Sequence, residues 1–345
     1  MKSVAPETTH MFAEAAEAGT AVERQLKANA GLVHDLADRL RRLQPRTVVT
    51  YARGSSDHAA TFAKYVIETR VGVLTSSGAP SIASIYRDAP DFRETLALAI
   101  SQSGQSPDIL AAIEKAKAGG ALSVALINAE GSRLEALADA TVPLRAGREL
   151  SVAATKSYIA SLAAVLHLVA DWTADGELGD ALESSPALLA EAFACDWSPL
   201  VDCLKIARGL YVIGRGPGLG VAQEAALKLK ETCRLHAEAF SSAEVRHGPM
   251  ELVGPDFPML LFRQSDESAE GVEELAREMI GRGAPVFVAG GKVRGAISLP
   301  VPQGHELIEP LLHIQALYRA ANQLSVELGR DPDRPLHLRK VTETI

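Results

Sequence analysis

Between Glu224 and Pro249 the chain reads EAALKLKETCRLHAEAFSSAEVRHGP, a dense gathering of acids, lysines and histidines. At 3.6 residues per turn, Glu224, Lys228 and Glu231 fall on one helical face at i, i+4 and i+7. Ala225, Ala226, Leu227 and Leu229 supply an apolar flank, and Glu244, Arg246 and His247 form a second charged cluster before a Gly-Pro loop. A carboxylate beside a lysine can carry a proton between neighbouring atoms, and a histidine can shuttle one near neutral pH. Taken alone, the same spacing also describes a solvated helix laced with ion pairs. His236-Ala237-Glu238 has no further ligand cluster beside it, so it reads as structural and no metal site is expected.

Ser101-Gln102-Ser103-Gly104-Gln105-Ser106-Pro107 follows an apolar run and opens a helical pattern. Hydroxyls, a glycine and a helix start with proline near its first position make a nest of N–H groups suited to a phosphate. Capping a helix needs one serine; this loop offers more. Arg53-Gly54-Ser55-Ser56, at another strand-to-helix turn, adds two hydroxyls. The nucleotide-binding loop GxxxxGK[ST] is absent, and the crowded Gly214, Gly216, Gly218 and Gly220 do not keep the GxGxxG spacing.

The elements that carry these loops recur. TVVTYARGS from Thr47 and LYVIGRGPG from Leu210 end in Arg-Gly pairs 162 residues apart, Gly54 to Gly216. LALAISQS (96–103) and PMLLFRQS (258–265) share the offset, as do Val124-Ala125-Leu126 and Val286-Phe287-Val288. TVPL (141–144) and SLPV (298–301) follow with a small deletion. The chain is a duplicated α/β unit. In the first copy, apolar runs at 47–52, 95–100, 122–127 and 140–144 alternate with helical patterns at 58–70, 107–118, 132–138 and 154–173. Continuous apolar strands separated by helices predict a parallel sheet covered on both faces, and right-handed crossovers make it doubly wound. The expectation is α/β: two tandem doubly wound parallel-sheet sandwiches. They would comprise a helical segment 1–45, a first domain 46–175, a helical linker 176–206, a second domain 207–329 and a tail 330–345. Prolines exclude a continuous helix from that tail, and its composition by itself suggests a frayed end.

With 345 residues, 47% hydrophobic and 23% charged, the chain has the composition of an ordinary globular protein of two domains. A net charge of −8 argues against nucleic acid or an anionic membrane as partner. Three cysteines without a CxxC pair fit reduced cytoplasmic thiols. No signal-peptide pattern opens the sequence, and the apolar run 159–169 is too short to span a bilayer. A cytoplasmic location is expected.

RGSSDHAA, ISQSGQSPDIL, ELSVAATKSY, EAALKLKET with HAEAFSSAEVRHGP, and PLHLRKVTETI occur in this order along nearly the whole chain. Together they resemble the isomerase half of glucosamine-6-phosphate synthase, within the wider sugar isomerase (SIS) family. The resemblance implies a sugar-phosphate pocket of Ser101, Gln102, Ser103 and Ser106 with Ser56; Ser55 takes the place of a threonine. It implies that Val152 lines the sugar, while Ala154 stands where the synthases have serine; Glu244 is grouped with them. Glu231 matches the base that moves a proton between C1 and C2. Lys228 matches a lysine assisting near the ring hydroxyls, and His247 a ring-opening histidine reaching in from the neighbouring subunit of a homodimer. Lys340 matches a lysine able to form a Schiff base with the open-chain ketose, which would make the tail a lid over the active site. Neither metal nor cofactor is implied, and the ligand would be a hexose or hexosamine 6-phosphate.

A synthase of that type carries an N-terminal glutaminase with its cysteine directly after the initiator methionine. Here residue 2 is Lys2, and the first cysteine is Cys195. The leading expectation is therefore the reverse reaction, glucosamine 6-phosphate and water giving fructose 6-phosphate and ammonia. Alternatives are a galactosamine-6-phosphate deaminase, a fructosamine-6-phosphate deglycase, an aminotransferase-like isomerase module, or a non-catalytic sugar-phosphate sensor. A sensor would usually bring a basic DNA-binding helix-turn-helix, and the first 45 residues show no basic patch.

Overall fold

The computed structural model describes residues 5–88 and 90–340. Helices α1 (His10–Ala16) and α2 (Ala18–Leu43) lead into β1 (Thr47–Tyr51), α3 (Ser55–Val66), β2 (Leu74–Ser77) and α4 (Pro80–Ser84). Then come β3 (Thr95–Ser101), α5 (Pro107–Ala118), β4 (Leu122–Ile127), α6 (Arg133–Leu137) and β5 (Ala140–Pro143). Helices α7 (Lys156–Thr173), α8 (Gly176–Ala194) and α9 (Ser198–Leu204) precede the second copy. That copy runs β6 (Gly209–Gly214), α10 (Gly218–Cys233), β7 (His236–Ser241), β8 (Met259–Phe262), α11 (Ala269–Gly281), β9 (Val286–Ala289), β10 (Ile297–Leu299) and α12 (Glu309–Glu327).

Two five-stranded sheets result, ordered β2-β1-β3-β4-β5 and β10-β9-β8-β6-β7, every pairing parallel. Read from the other edge, the second is β7-β6-β8-β9-β10, the same topology. The register repeats as well: Thr47 pairs with Thr95, and Tyr211 with Met259, at equal separation along the chain. Every residue of β3 and β4 is buried, as strands covered on both faces require.

The helix expected over 58–70 begins earlier, at Ser55, and finishes in a wide π turn Ile67–Val71 closed by Gly72 at φ 76°. The edge strands β2 and β7 were not foreseen. Leu74–Ser77 buries only Thr75, and His236–Ser241 only Ala237, so neither carries an apolar run.

Two compact units divide the chain, and neither is contiguous in sequence. One comprises Thr20–Arg148 with Ser157–Glu183 and holds the first sheet. The other comprises residues up to Gly19, Glu149–Lys156 and Ser184–Lys340, and holds the second. No described helix is long and apolar enough to cross a membrane.

Candidate active site

In the first unit the strand order reverses direction between β1 and β3, so the crevice at their carboxyl ends is the expected ligand position of an open parallel sheet. Both hydroxyl-rich loops end there. Gly54, at φ 57°, turns the chain from β1 into α3 and places Ser55 and Ser56 in its first turn, each half-buried. After β3, Gly104 adopts φ 62°, and its N–H donates to Ser101 Oγ at 2.9 Å. A Cβ on Gly104 would stand 2.4 Å from Ser132 Oγ, so this turn needs glycine. Ser106 occupies the cap position of α5, yet its hydroxyl caps nothing. Helix capping therefore does not account for it. Gln102 and Ser103 are half-buried on the same loop. The Arg53 guanidinium, half exposed, bonds the buried Asp108 carboxylate at 2.7 and 2.9 Å and ties the two loops together.

The equivalent crevice of the second sheet has diverged. Ser265, the counterpart of Ser103, donates from its N–H and hydroxyl to Glu309 at 2.6 and 2.8 Å. A carboxylate of the chain itself occupies the donors that an anion would need.

The second unit positions the acid–base cluster. On α10, Lys228 and Glu224 have no exposed side-chain surface, and Glu231 is 20% exposed. Lys228 Nζ donates to Glu231 Oε2 and lies 3.4 Å from Glu224 Oε1. Tyr318 of α12 donates to Glu224 Oε1 at 3.2 Å. Burial alone would push the Lys228 ammonium down; Glu224 and Glu231 outweigh it and hold it above the usual lysine range. The solvated-helix reading of this stretch is thus excluded.

The segment Glu149–Lys156 lies in the same unit. Glu149 accepts from Thr155 N–H at 3.0 Å, and Glu14 accepts from the N–H groups of Leu150 and Ser151. Burial raises the Glu14 carboxyl despite those bonds. Val152 and Ala154 are half-buried, and Val152 N–H donates to the Asp333 carbonyl at 3.1 Å. The Asp333 carboxylate accepts from His10 and Met11 N–H at 2.8 and 2.7 Å, anchoring the tail to the start of α1. Lys340 Nζ donates to Ser151 O at 2.6 Å. Burial lowers the Lys340 ammonium, while Glu149, Glu14 and Glu231 act against that. The last five residues of the expected lid, 341–345, lie outside the described residues.

Among the described residues, His247 and Glu244 bond to no member of this cluster. Both are exposed, at the end and the start of a short 3-10 turn before Gly248 (φ 129°). Among the described residues, neither side chain has a hydrogen bond or ion pair. Glu14 and Asp333 carried no motif in the sequence, because they accept backbone N–H bonds from segments remote in the chain. Glu224 was visible on the helical face; its full burial was not. Among the described residues no three His, Cys, Asp or Glu side chains gather as a metal site would require.

The SIS domain family matches residues 43–170 and 204–290. Glutamine–fructose-6-phosphate aminotransferase [isomerizing] of Thermus thermophilus is 34% identical over 321 residues, covering 86% of this chain and 52% of that protein. The chain spans about half the length of the curated relatives it matches. A solved structure from Silicibacter pomeroyi DSS-3, a candidate phosphosugar isomerase, is 43% identical with TM-score 0.91, covering 94% of this chain and all of that one. The C-terminal domain of glucosamine-fructose-6-phosphate aminotransferase from Francisella tularensis follows at 26% identity and TM-score 0.87, covering 95% and 98%. The fold also matches glucosamine-6-phosphate deaminase of Thermotoga maritima, at 21% identity and TM-score 0.80 over 97% of this chain and all of that one. With two SIS segments, two sheets of one topology and these relatives, the chain belongs to the SIS domain family.

Proposed function

We propose that this protein is an isomerising deaminase of an aminosugar phosphate, converting glucosamine 6-phosphate and water to fructose 6-phosphate and ammonia. The observation that carries this reading is the α10 ion-pair cluster: two members fully buried, and one carboxylate, Glu231, left partly open. Such a cluster fixes a single base in position and leaves it reachable by substrate.

In this reading Ser55, Ser56, Ser101, Gln102, Ser103 and Ser106 hold the phosphoryl group. His247, supplied by the partner in a homodimer, opens the ring. Glu231 takes the C2 proton and returns it to C1. The aldehyde oxygen gains a proton and the nitrogen loses one, leaving a ketose imine. Water adds to the imine carbon, and ammonia departs. Lys228 orients the Glu231 carboxylate. Lys340, with its amine lowered by burial, is suited to attack the open-chain ketose carbonyl. Val152, Ala154 and Glu244 line the sugar.

A second reading is favoured by the names of the curated relatives: the same isomerisation serving glucosamine 6-phosphate synthesis. Both share ring opening and proton transfer, and they differ in the fate of nitrogen. Purified protein is incubated with glucosamine 6-phosphate, and ammonia and fructose 6-phosphate are measured. Release of both in equal amounts supports deamination; no ammonia sinks it. Galactosamine 6-phosphate and fructosamine 6-phosphate in parallel assign the sugar.

A further inference from the structure

A cleft of about 260 Å³ opens beside Glu231, where the end of α10 meets the segment that follows α12. Its walls bring together three guanidinium-bearing residues, Arg234 from the α10 terminus and Arg330 and Arg334 from the tail, with Asp331 and Glu231. Among the described residues no carboxylate pairs with any of the three arginines. One oxygen of each acid beside them bonds elsewhere: Asp331 Oδ1 accepts from the Asp333 and Arg334 N–H groups, and Glu231 Oε2 accepts from Lys228. Arg330 Nε is buried without an acceptor.

One ordinary explanation is that arginines at helix ends bond the last carbonyls. No side-chain hydrogen bond to a carbonyl is made by Arg234, Arg330 or Arg334 among the described residues, so that explanation fails here. Arg234 and Arg334 are exposed and their repulsion is screened by water, whereas the buried, unmet N–H donor of Arg330 is costly. That cost vanishes if an anion accepts from it, since guanidinium forks match tetrahedral oxyanions. The volume exceeds a single water's share of about 30 Å³ several-fold, enough for a phosphate with residual water.

We propose that this arginine cleft binds a small multivalent oxyanion of the phosphate class, tying the segment 329–336 to the end of α10. That segment leads directly to Lys340, so the bound anion restrains the stretch of chain that carries this amine. None of the residues lining it belongs to the serine loops, and the proposal stands whatever reaction Glu231 performs.

Inorganic phosphate is titrated calorimetrically at constant ionic strength set with chloride. The three proteins are the wild type, a Ser103→Ala/Ser106→Ala variant that weakens the serine loops, and that variant carrying Arg330→Gln or Arg334→Gln. The serine variant is expected to keep one phosphate per chain, and either arginine change to weaken it about tenfold or more. Arg334 is exposed, so its variant serves as the folding-safe arm, checked by its thermal midpoint without phosphate. Hydrogen exchange of 329–340 should slow with phosphate in the serine variant and not after Arg330→Gln. Glucose 6-phosphate as a second titrant separates the sources: an arginine-dependent heat with it extends the site to phosphate esters, and its absence restricts the site to the free ion. Loss of all phosphate binding with the serine loops, or binding indifferent to both arginines, overturns the proposal.

Discussion

Lys228 and Glu224 meet with Nζ 3.4 Å from Oε1, and neither side chain keeps any exposed surface. Glu231 completes the cluster from the solvent side at 20% exposure. A buried lysine between two acids is stable only as a set, because removing one member strands a charge that was taken out of water with its partner. Lys228→Met should therefore cost about 3–5 kcal/mol in urea unfolding. Adding Glu224→Gln should restore much of that loss. A double variant that loses the sum of the two single losses would show that the pair is not coupled.

Glu231→Gln preserves size and shape while removing the base. Turnover of the proposed substrate should fall by about 10²–10⁴-fold with affinity retained. Steady-state kinetics and a direct binding measurement together decide it. Retained turnover would remove Glu231 from the acid–base role.

His247 is exposed on its own chain, which suits a residue delivered to a neighbouring copy. Glu231→Gln and His247→Asn proteins, each inactive alone, are mixed after dissociation and reassembly. Random pairing in a two-fold dimer gives half hybrids with one intact site each, so about a quarter of wild-type activity should return. No recovery, with hybrids shown to form, would place His247 in its own chain's site.

Gly104→Ala forces φ 62° on a residue with a Cβ, and that Cβ lies 2.4 Å from Ser132 Oγ. The strain is about 1–3 kcal/mol, enough to reshape the loop that carries Ser103 and Ser106. The Michaelis constant for a sugar phosphate should rise more than turnover falls. A variant with unchanged kinetics would show that the loop does not bind the phosphoryl group.

His313 sits in α12 with no exposed surface, stacked on Phe262 at 5.3 Å, and burial pushes its pKa down to about 3. The unfolded chain binds this proton near the ordinary value of 6.5, and the folded chain does not until about pH 3. Unfolding therefore takes up one proton in that window, and stability declines as pH drops below 6.5, by about 1.4 kcal/mol per unit at full slope. His313→Leu should show a shallower decline than wild type between pH 6.5 and 4.5 in urea midpoints. Parallel curves would mean that His313 is protonated in the folded protein.

The sequence by itself determined the duplicated α/β architecture and the strands at the centre of each sheet. β3, β4 and β6 are buried throughout, β1 nearly so, and such strands leave an apolar run, so all four were legible. β2 and β7 were not, because an edge strand buries one side chain in four to six and reads as loop. The serine loops and the Glu224-Lys228-Glu231 face were also legible, since both depend on near neighbours in the chain. What only the tertiary structure decided depends on distant partners. Helical spacing puts Lys228 and Glu224 side by side; Tyr318 on α12 and the packing around them take the pair out of water. The same holds for Asp333, whose carboxylate bonds N–H groups more than three hundred residues earlier, and for Glu309, which fills the second crevice with the chain's own charge. No local pattern encodes such pairings, because a backbone N–H is common to every residue type except proline and leaves no mark in the sequence.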